Sequence, residues 1–198
     1  MEQKLYKKIY GVKEFYVALY KGLRTFKYMN RSKKKNKMSS HFIERIMLAV
    51  TEVNGCEVCS YAHTKIALAQ GMSDEEIKML LTGLTEGIPD HEMTAIVFAQ
   101  HYADSRGNPS KEAWDRIVTA YGTEKARGIL GAIRMIMIGN IYGIAISAFR
   151  SRLKGKKIEK TSLLYEIRMI ISIIILLPVA LIHGFVSNLF NVPVIDFG

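Results

Sequence analysis

The chain has 198 residues, a net charge of +10, two cysteines and 49% hydrophobic residues. That length holds one domain with a sizeable core plus an appendage, and two cysteines exclude a disulfide-stapled scaffold and suit a reducing compartment. Lys4, Lys7, Lys8, Lys13 and Glu14 interrupt any apolar run near the start, so no secretory signal is expected there and a cytoplasmic location is.

Apolar residues recur at helical spacing almost throughout, with no convincing period-2 stretch, so the expected class is all-α, a helical bundle. Leu5, Ile9, Val12, Tyr16, Leu19, Tyr20 and Leu23 predict an amphipathic helix over residues 3–29. Its many aromatics suit either core packing or a lipid interface. A basic linker at 30–38 follows. Phe42, Ile43, Ile46, Met47 and Val50 predict a second helix over 40–53. The third, 58–70, stops at Gly71.

Ser73-Asp74-Glu75-Glu76 is a capping box for a helix running to about Thr85. Pro89 opens another to Asp104, and Asn108-Pro109-Ser110 a short one to Tyr121. Thr123 begins a long helix through Arg150, in which Gly131, Gly139, Gly143 and Ser147 leave gaps for close helix approach. The last element, 169–195, contains no Asp, Glu, Lys or Arg. A bilayer span needs about 20 mostly apolar residues, and here bases precede the stretch and none follow it. The pattern predicts an anchor on the inner face of the cell membrane with a cytoplasmic N-terminus. The competing expectation is a helix buried between subunits.

Charge divides the chain. Residues 1–38 carry twelve Lys/Arg against Glu2 and Glu14, residues 39–149 carry thirteen acids to nine bases, and residues 150–168 carry seven bases against Glu159 and Glu166. Basic flanks suit nucleic acid or an anionic membrane surface; with the apolar tail beside them, the membrane is the expected partner and nucleic acid is not. Three parts follow: 1–35, a basic amphipathic helix and linker; 36–150, the helical domain; and 151–198, a basic linker and apolar segment.

Cys56-Glu57-Val58-Cys59 with His63 is the most informative cluster. Cys56, Cys59 and His63 sit at i, i+3 and i+7 near the start of the third helix and share one helical face. The helix N-terminus favours thiolate. The neighbouring thiol can donate a hydrogen bond to that thiolate, and His63 can take or hold its proton. A thiol so placed reacts with disulfides or peroxides. Inert packing is the plainer alternative, but Asn54-Gly55, Glu57 and Ser60 make a polar turn. A structural zinc site needs four ligands, and there is no second cysteine pair; His41, His91, His101 and His183 show no ligand spacing. Neither a metal nor a bound cofactor is expected.

The run Glu44, eleven residues, Cys56-Glu57-Val58-Cys59, three residues, His63 resembles the alkylhydroperoxidase D-like branch of the carboxymuconolactone decarboxylase superfamily. The following Leu68-Ala69-Gln70-Gly71-Met72-Ser73-Asp74-Glu75-Glu76-Ile77 is similar to that family's helix break. The likeness covers residues 36–149. It implies an all-α fold assembled as trimers or hexamers, with the CxxC at a helix N-terminus in a cleft. It implies that Cys59 attacks peroxide and becomes sulfenic acid, that Cys56 donates a proton and closes the disulfide, and that His63 and Glu44 form the proton relay. A glutamate on a helix is usually just solvated, and by chemistry alone Glu52 looks as good as Glu44.

Many peroxidase members carry a second histidine immediately before the second cysteine, where this chain has Val58. That departure implies a relay that is shorter or bridged by water, and leaves thiol–disulfide exchange untouched. The decarboxylase members use other residues, so lactone decarboxylation is not expected. The expected function is thiol-dependent peroxide reduction, with an external dithiol such as a reductant protein or a dihydrolipoamide-like donor restoring the cysteines. Two alternatives stand beside it: a protein dithiol–disulfide reductase, and a non-enzymatic, membrane-tethered redox sensor or interaction module.

Overall fold

The computed structural model describes residues 4–195 and 197. Seven helices follow in order: α1 (Val12–Lys34), α2 (Ser40–Asn54), α3 (Glu57–Ala69), α4 (Asp74–Thr82), α5 (Asp90–Asp104), α6 (Lys111–Leu153) and α7 (Leu163–Leu189). No strand occurs among the described residues, and the expected all-α class holds.

The long helix α6 is the spine. Ile129, Leu130, Ile133 and Ile144 on it are fully buried, and α1, α2, α3, α5 and α7 all pack against it. Its most apolar window is long enough to cross a membrane, but 72% of that window is buried, which makes it a core helix. Gly122 (φ 72°, ψ 158°) breaks it where the sequence predicts two helices meeting. Small residues admit its neighbours as expected at two of three glycines. A Cβ on Gly131 would meet the Thr25 carbonyl of α1 at 2.8 Å, and one on Gly143 would meet α3, whereas Gly139 has no close neighbour from another helix.

Serine caps start four of these helices: Ser39, Ser73, Ser110 and Ser162 each accept a backbone N–H through Oγ, each contributing about 1 kcal/mol. Arg45 fixes the rotation of α2 by donating to Glu76 of α4 at 2.5 Å and to buried Glu92 of α5 at 2.9 Å.

The first helix differs from its expected span. Residues 4–11 are non-helical, with Tyr6 in the left-handed region (φ 52°), and α1 begins only at Val12. The Tyr6 and Lys8 N–H groups donate to Gly55 and Asn54 carbonyls at 2.7 and 3.2 Å, and Gly11 with Glu14 then caps α1. Tertiary partners for the backbone thus outweigh a helical apolar spacing. At the other end, α1 runs through most of the expected linker. Arg31, Lys33 and Lys34 fall in its last turn, where positive charge complements the helix dipole.

Helix α7 docks on α1 and α6 through a narrow stripe that buries Glu166, Met169, Ala180, Gly184 and Ser187. Glu166 is fully buried and paired with Arg152 of α6 at 2.8 Å. Past the helix the chain turns back, and buried Arg24 and Arg134 donate to the carbonyls of Val192, Pro193 and Val194. Helix α7 is long and apolar enough to cross a membrane, its most apolar stretch having a mean hydropathy of 2.6, yet only 17% of that stretch is buried.

Candidate redox site

The site forms where α2 ends and α3 begins. Gly55 closes α2 in the left-handed region (φ 72°), and a Cβ there would lie 2.7 Å from the Lys7 nitrogen, so only glycine lets the N-terminal segment lie against the turn. Cys56 is the N-cap of α3, and its sulfur accepts the Cys59 N–H at 3.3 Å. Cys56 and Cys59 are joined in a disulfide, their Cα atoms 5.3 Å apart, within the usual range for such a bond. The pairing that the spacing allows is thus made inside one helical turn.

Helix α6 floors the turn. A Cβ on Gly143 would lie 2.8 Å from Cys56 Sγ, 2.9 Å from Cys59 Sγ and 2.9 Å from Val58 Cγ1. One turn further on, Ser147 Oγ accepts the Val58 N–H at 3.3 Å. The two cysteines differ in exposure: Cys56 is fully buried and Cys59 is 7% exposed, the less enclosed of the two. Cys56 is the sulfur that receives a backbone N–H, which stabilises charge on it as a thiolate.

Behind the disulfide, His63 of α3 donates Nδ1–H to Glu44 of α2 at 2.7 Å, with both side chains largely buried. This bond sets the ring tautomer and leaves Nε2 to take or give a proton. Glu52, which looks equivalent in the sequence, pairs instead with Lys7. The structure thus joins Cys56 to Cys59 and His63 to Glu44, with His63 one turn along α3 from Cys59, and leaves Glu52 aside. His41, His91, His101 and His183 are elsewhere, and among the described residues no group of three His, Cys, Asp or Glu is placed to hold a metal ion.

Three residues of the site escape sequence reasoning. Tyr6 donates to Glu57 Oε2 at 2.9 Å, and burial followed by that carboxylate pushes its phenol up to about 12. Lys160, from the linker before α7, donates to the Tyr6 carbonyl at 3.0 Å. Asn54, fully buried, accepts from the Tyr10 hydroxyl and donates to Met137 Sδ at 3.2 Å. Only Asn54-Gly55 left a local signal, as a turn; the contacts of Tyr6 and Lys160 are distant in sequence.

An all-helical domain carrying a disulfide across a helix N-terminus, backed by a paired histidine and glutamate, defines a helical protein with a dithiol–disulfide centre. Residues 18–89 match the model of the carboxymuconolactone decarboxylase family, which supports the superfamily resemblance of the motif over that stretch. The match begins inside α1 and takes in Glu44, both cysteines and His63. No curated protein and no solved structure matches the chain.

Proposed function

We propose that the protein is a thiol-dependent antioxidant enzyme of the alkylhydroperoxidase D-like type, reducing peroxides through a Cys56/Cys59 dithiol–disulfide cycle. The observation that carries this reading is the disulfide itself. It caps α3, with the less enclosed cysteine one turn from a histidine whose other nitrogen is held by Glu44.

In the reduced state His63 Nε2 takes the Cys59 proton. The thiolate attacks the peroxide's distal oxygen; the O–O bond breaks, Cys59 becomes sulfenic acid, and the alkoxide leaves with the proton from His63. Cys56 thiolate then attacks Cys59 sulfur, forming the S–S bond and releasing hydroxide, which is protonated to water. An external dithiol reverses this. One of its thiolates attacks Cys59 and expels Cys56 as a thiolate stabilised by the Cys59 N–H, and its second thiolate closes its own disulfide and frees Cys59. Two electrons pass from the dithiol to the peroxide.

A second reading, protein dithiol–disulfide reductase, draws on Val58. That side chain lies against Gly143 of α6, so the position beside Cys59 offers no titrating group for peroxide protonation, while exchange at Cys59 needs none. Sulfenate trapping separates the two. Cys56→Ser treated with one equivalent of hydroperoxide should form a dimedone adduct at Cys59, seen by mass spectrometry. A Cys59 that stays a free thiol there, while still exchanging with a small disulfide, would leave the reductase reading.

A further inference from the structure

Helix α7 exposes far more apolar surface than a folded water-facing helix does. Ile174 (72%), Ile175 (66%), Ile182 (67%), Phe185 (70%), Leu189 (67%) and Phe190 (74%) are among the exposed side chains, and the helix is about 40 Å long at 1.5 Å per residue. Patches of this size mark an interaction surface.

Two observations say what covers it. The first is charge. At the N-terminal end of α7 the exposed bases Arg150, Lys154, Lys156, Lys157 and Arg168 gather. At its C-terminal end Arg24 of α1 binds Asn188, Val192 and Pro193, and α1 continues from there into exposed Lys27, Arg31, Lys33 and Lys34. A second copy laid along this face in either direction brings base against base, whereas an anionic lipid surface complements both ends. The second is docking. The Tyr16 hydroxyl and His183 Nδ1 share a 2.7 Å hydrogen bond, Tyr20 donates to Ser187 at 3.0 Å, and the His183 ring stacks on Tyr20 with centroids 4.2 Å apart. A docked α7 could cross a bilayer only by carrying the charges of α1 into hydrocarbon, where each is costly. An undocked α7 would lose every one of these polar contacts.

We propose that α7 lies parallel to the surface of an anionic membrane, its exposed face sunk into the headgroup–acyl boundary of one leaflet, with the redox domain held above it. This departs from the spanning anchor expected from hydropathy. It does not rest on the peroxidase reading, and its test reads no redox activity.

The test uses the full chain, oxidised so that Cys56 and Cys59 are blocked. In flotation with vesicles of phosphatidylcholine containing phosphatidylglycerol, the protein should rise with the lipid, and less so on phosphatidylcholine alone or in high salt. Ile174→Asp with Ile182→Asp, both on the exposed face, should lower vesicle binding about tenfold or more with unchanged helical circular dichroism. A single cysteine introduced by Val192→Cys should then be labelled by an impermeant maleimide from the side on which the domain sits. Labelling only after permeabilisation would establish a span and overturn the proposal. A discrete soluble oligomer that ignores vesicles and dissociates with the two aspartates would overturn it in favour of a second copy.

Discussion

A histidine four residues after a cysteine lies on the right helical face, but spacing does not say which ring nitrogen is free. The bond from His63 Nδ1 to Glu44 answers that, because it places the tautomer with Nε2 open. His63→Ala should therefore slow alkylation of reduced Cys59 at neutral pH and lower peroxide turnover by about 10²-fold or more, the usual contribution of a positioned acid–base group. Glu44→Gln keeps a hydrogen-bond acceptor for Nδ1 and should lower turnover more than it slows alkylation. Equal alkylation rates in the native protein and His63→Ala would remove His63 from the mechanism.

The cluster of Cys56, Cys59 and His63 was legible because its spacing is local. The choice between Glu44 and Glu52 was not, since both lie on α2 and only tertiary contacts separate them: Glu52 turns to Lys7, in a segment distant in the chain. The division of labour between the sulfurs was half legible. Proximity to His63 singled out Cys59, but the backbone N–H that favours thiolate goes to Cys56, a consequence of the N-cap falling on that residue.

At the scale of elements, local signals carried most boundaries. Ser73, Pro89, Asn108-Pro109-Ser110 and the stop at Gly71 fall at or beside the ends of α3 to α6, whereas α4 stops at Thr82, short of the expected Thr85, with Gly83 in the left-handed region. The start of α1 was missed because the partners of residues 4–11 lie in the 54–55 turn, and no periodicity encodes such a contact. That N-terminal segment has a measurable consequence. Tyr6 holds it to Glu57 only as a neutral phenol, and its phenol stands raised from 10.0 to about 12. A raised folded-state value means the contribution is complete below pH 10 and is lost as pH rises through about 12.

The segment should accordingly loosen between those values and expose the buried Cys56 side of the disulfide. Reduction by a water-soluble phosphine, which does not titrate in that range, should accelerate over the same interval. Tyr6→Phe, which lacks the hydroxyl and should cost about 0.5–1.5 kcal/mol, should reduce faster already at neutral pH and show no such step. A rate independent of pH in the native protein, or a step persisting in Tyr6→Phe, would dissociate Tyr6 from access to the disulfide.

For the whole molecule, composition and periodicity were enough for an all-α chain with a redox-type motif, a basic start and an apolar tail. They could not say how the tail is held. Tyr16, Tyr20 and Arg24 read as members of an amphipathic or basic stretch, yet the structure spends them on His183, Ser187 and the carbonyls after α7. Helix α7 packs chiefly on α1 and α6, and the disulfide turn on α2, α3 and α6. The long core helix is thus the element common to the surface that the tail presents and the chemistry at the cysteines.

The central claim is that this chemistry turns over. Its most direct test is steady-state hydroperoxide consumption by the full-length protein with dihydrolipoamide as the electron donor. Consumption should saturate with donor, fall to the uncatalysed rate in Cys59→Ser, and leave Cys56 and Cys59 linked when the donor runs out. A native rate no greater than that of donor and peroxide alone, or a Cys59→Ser protein as active as the native one, would contradict it.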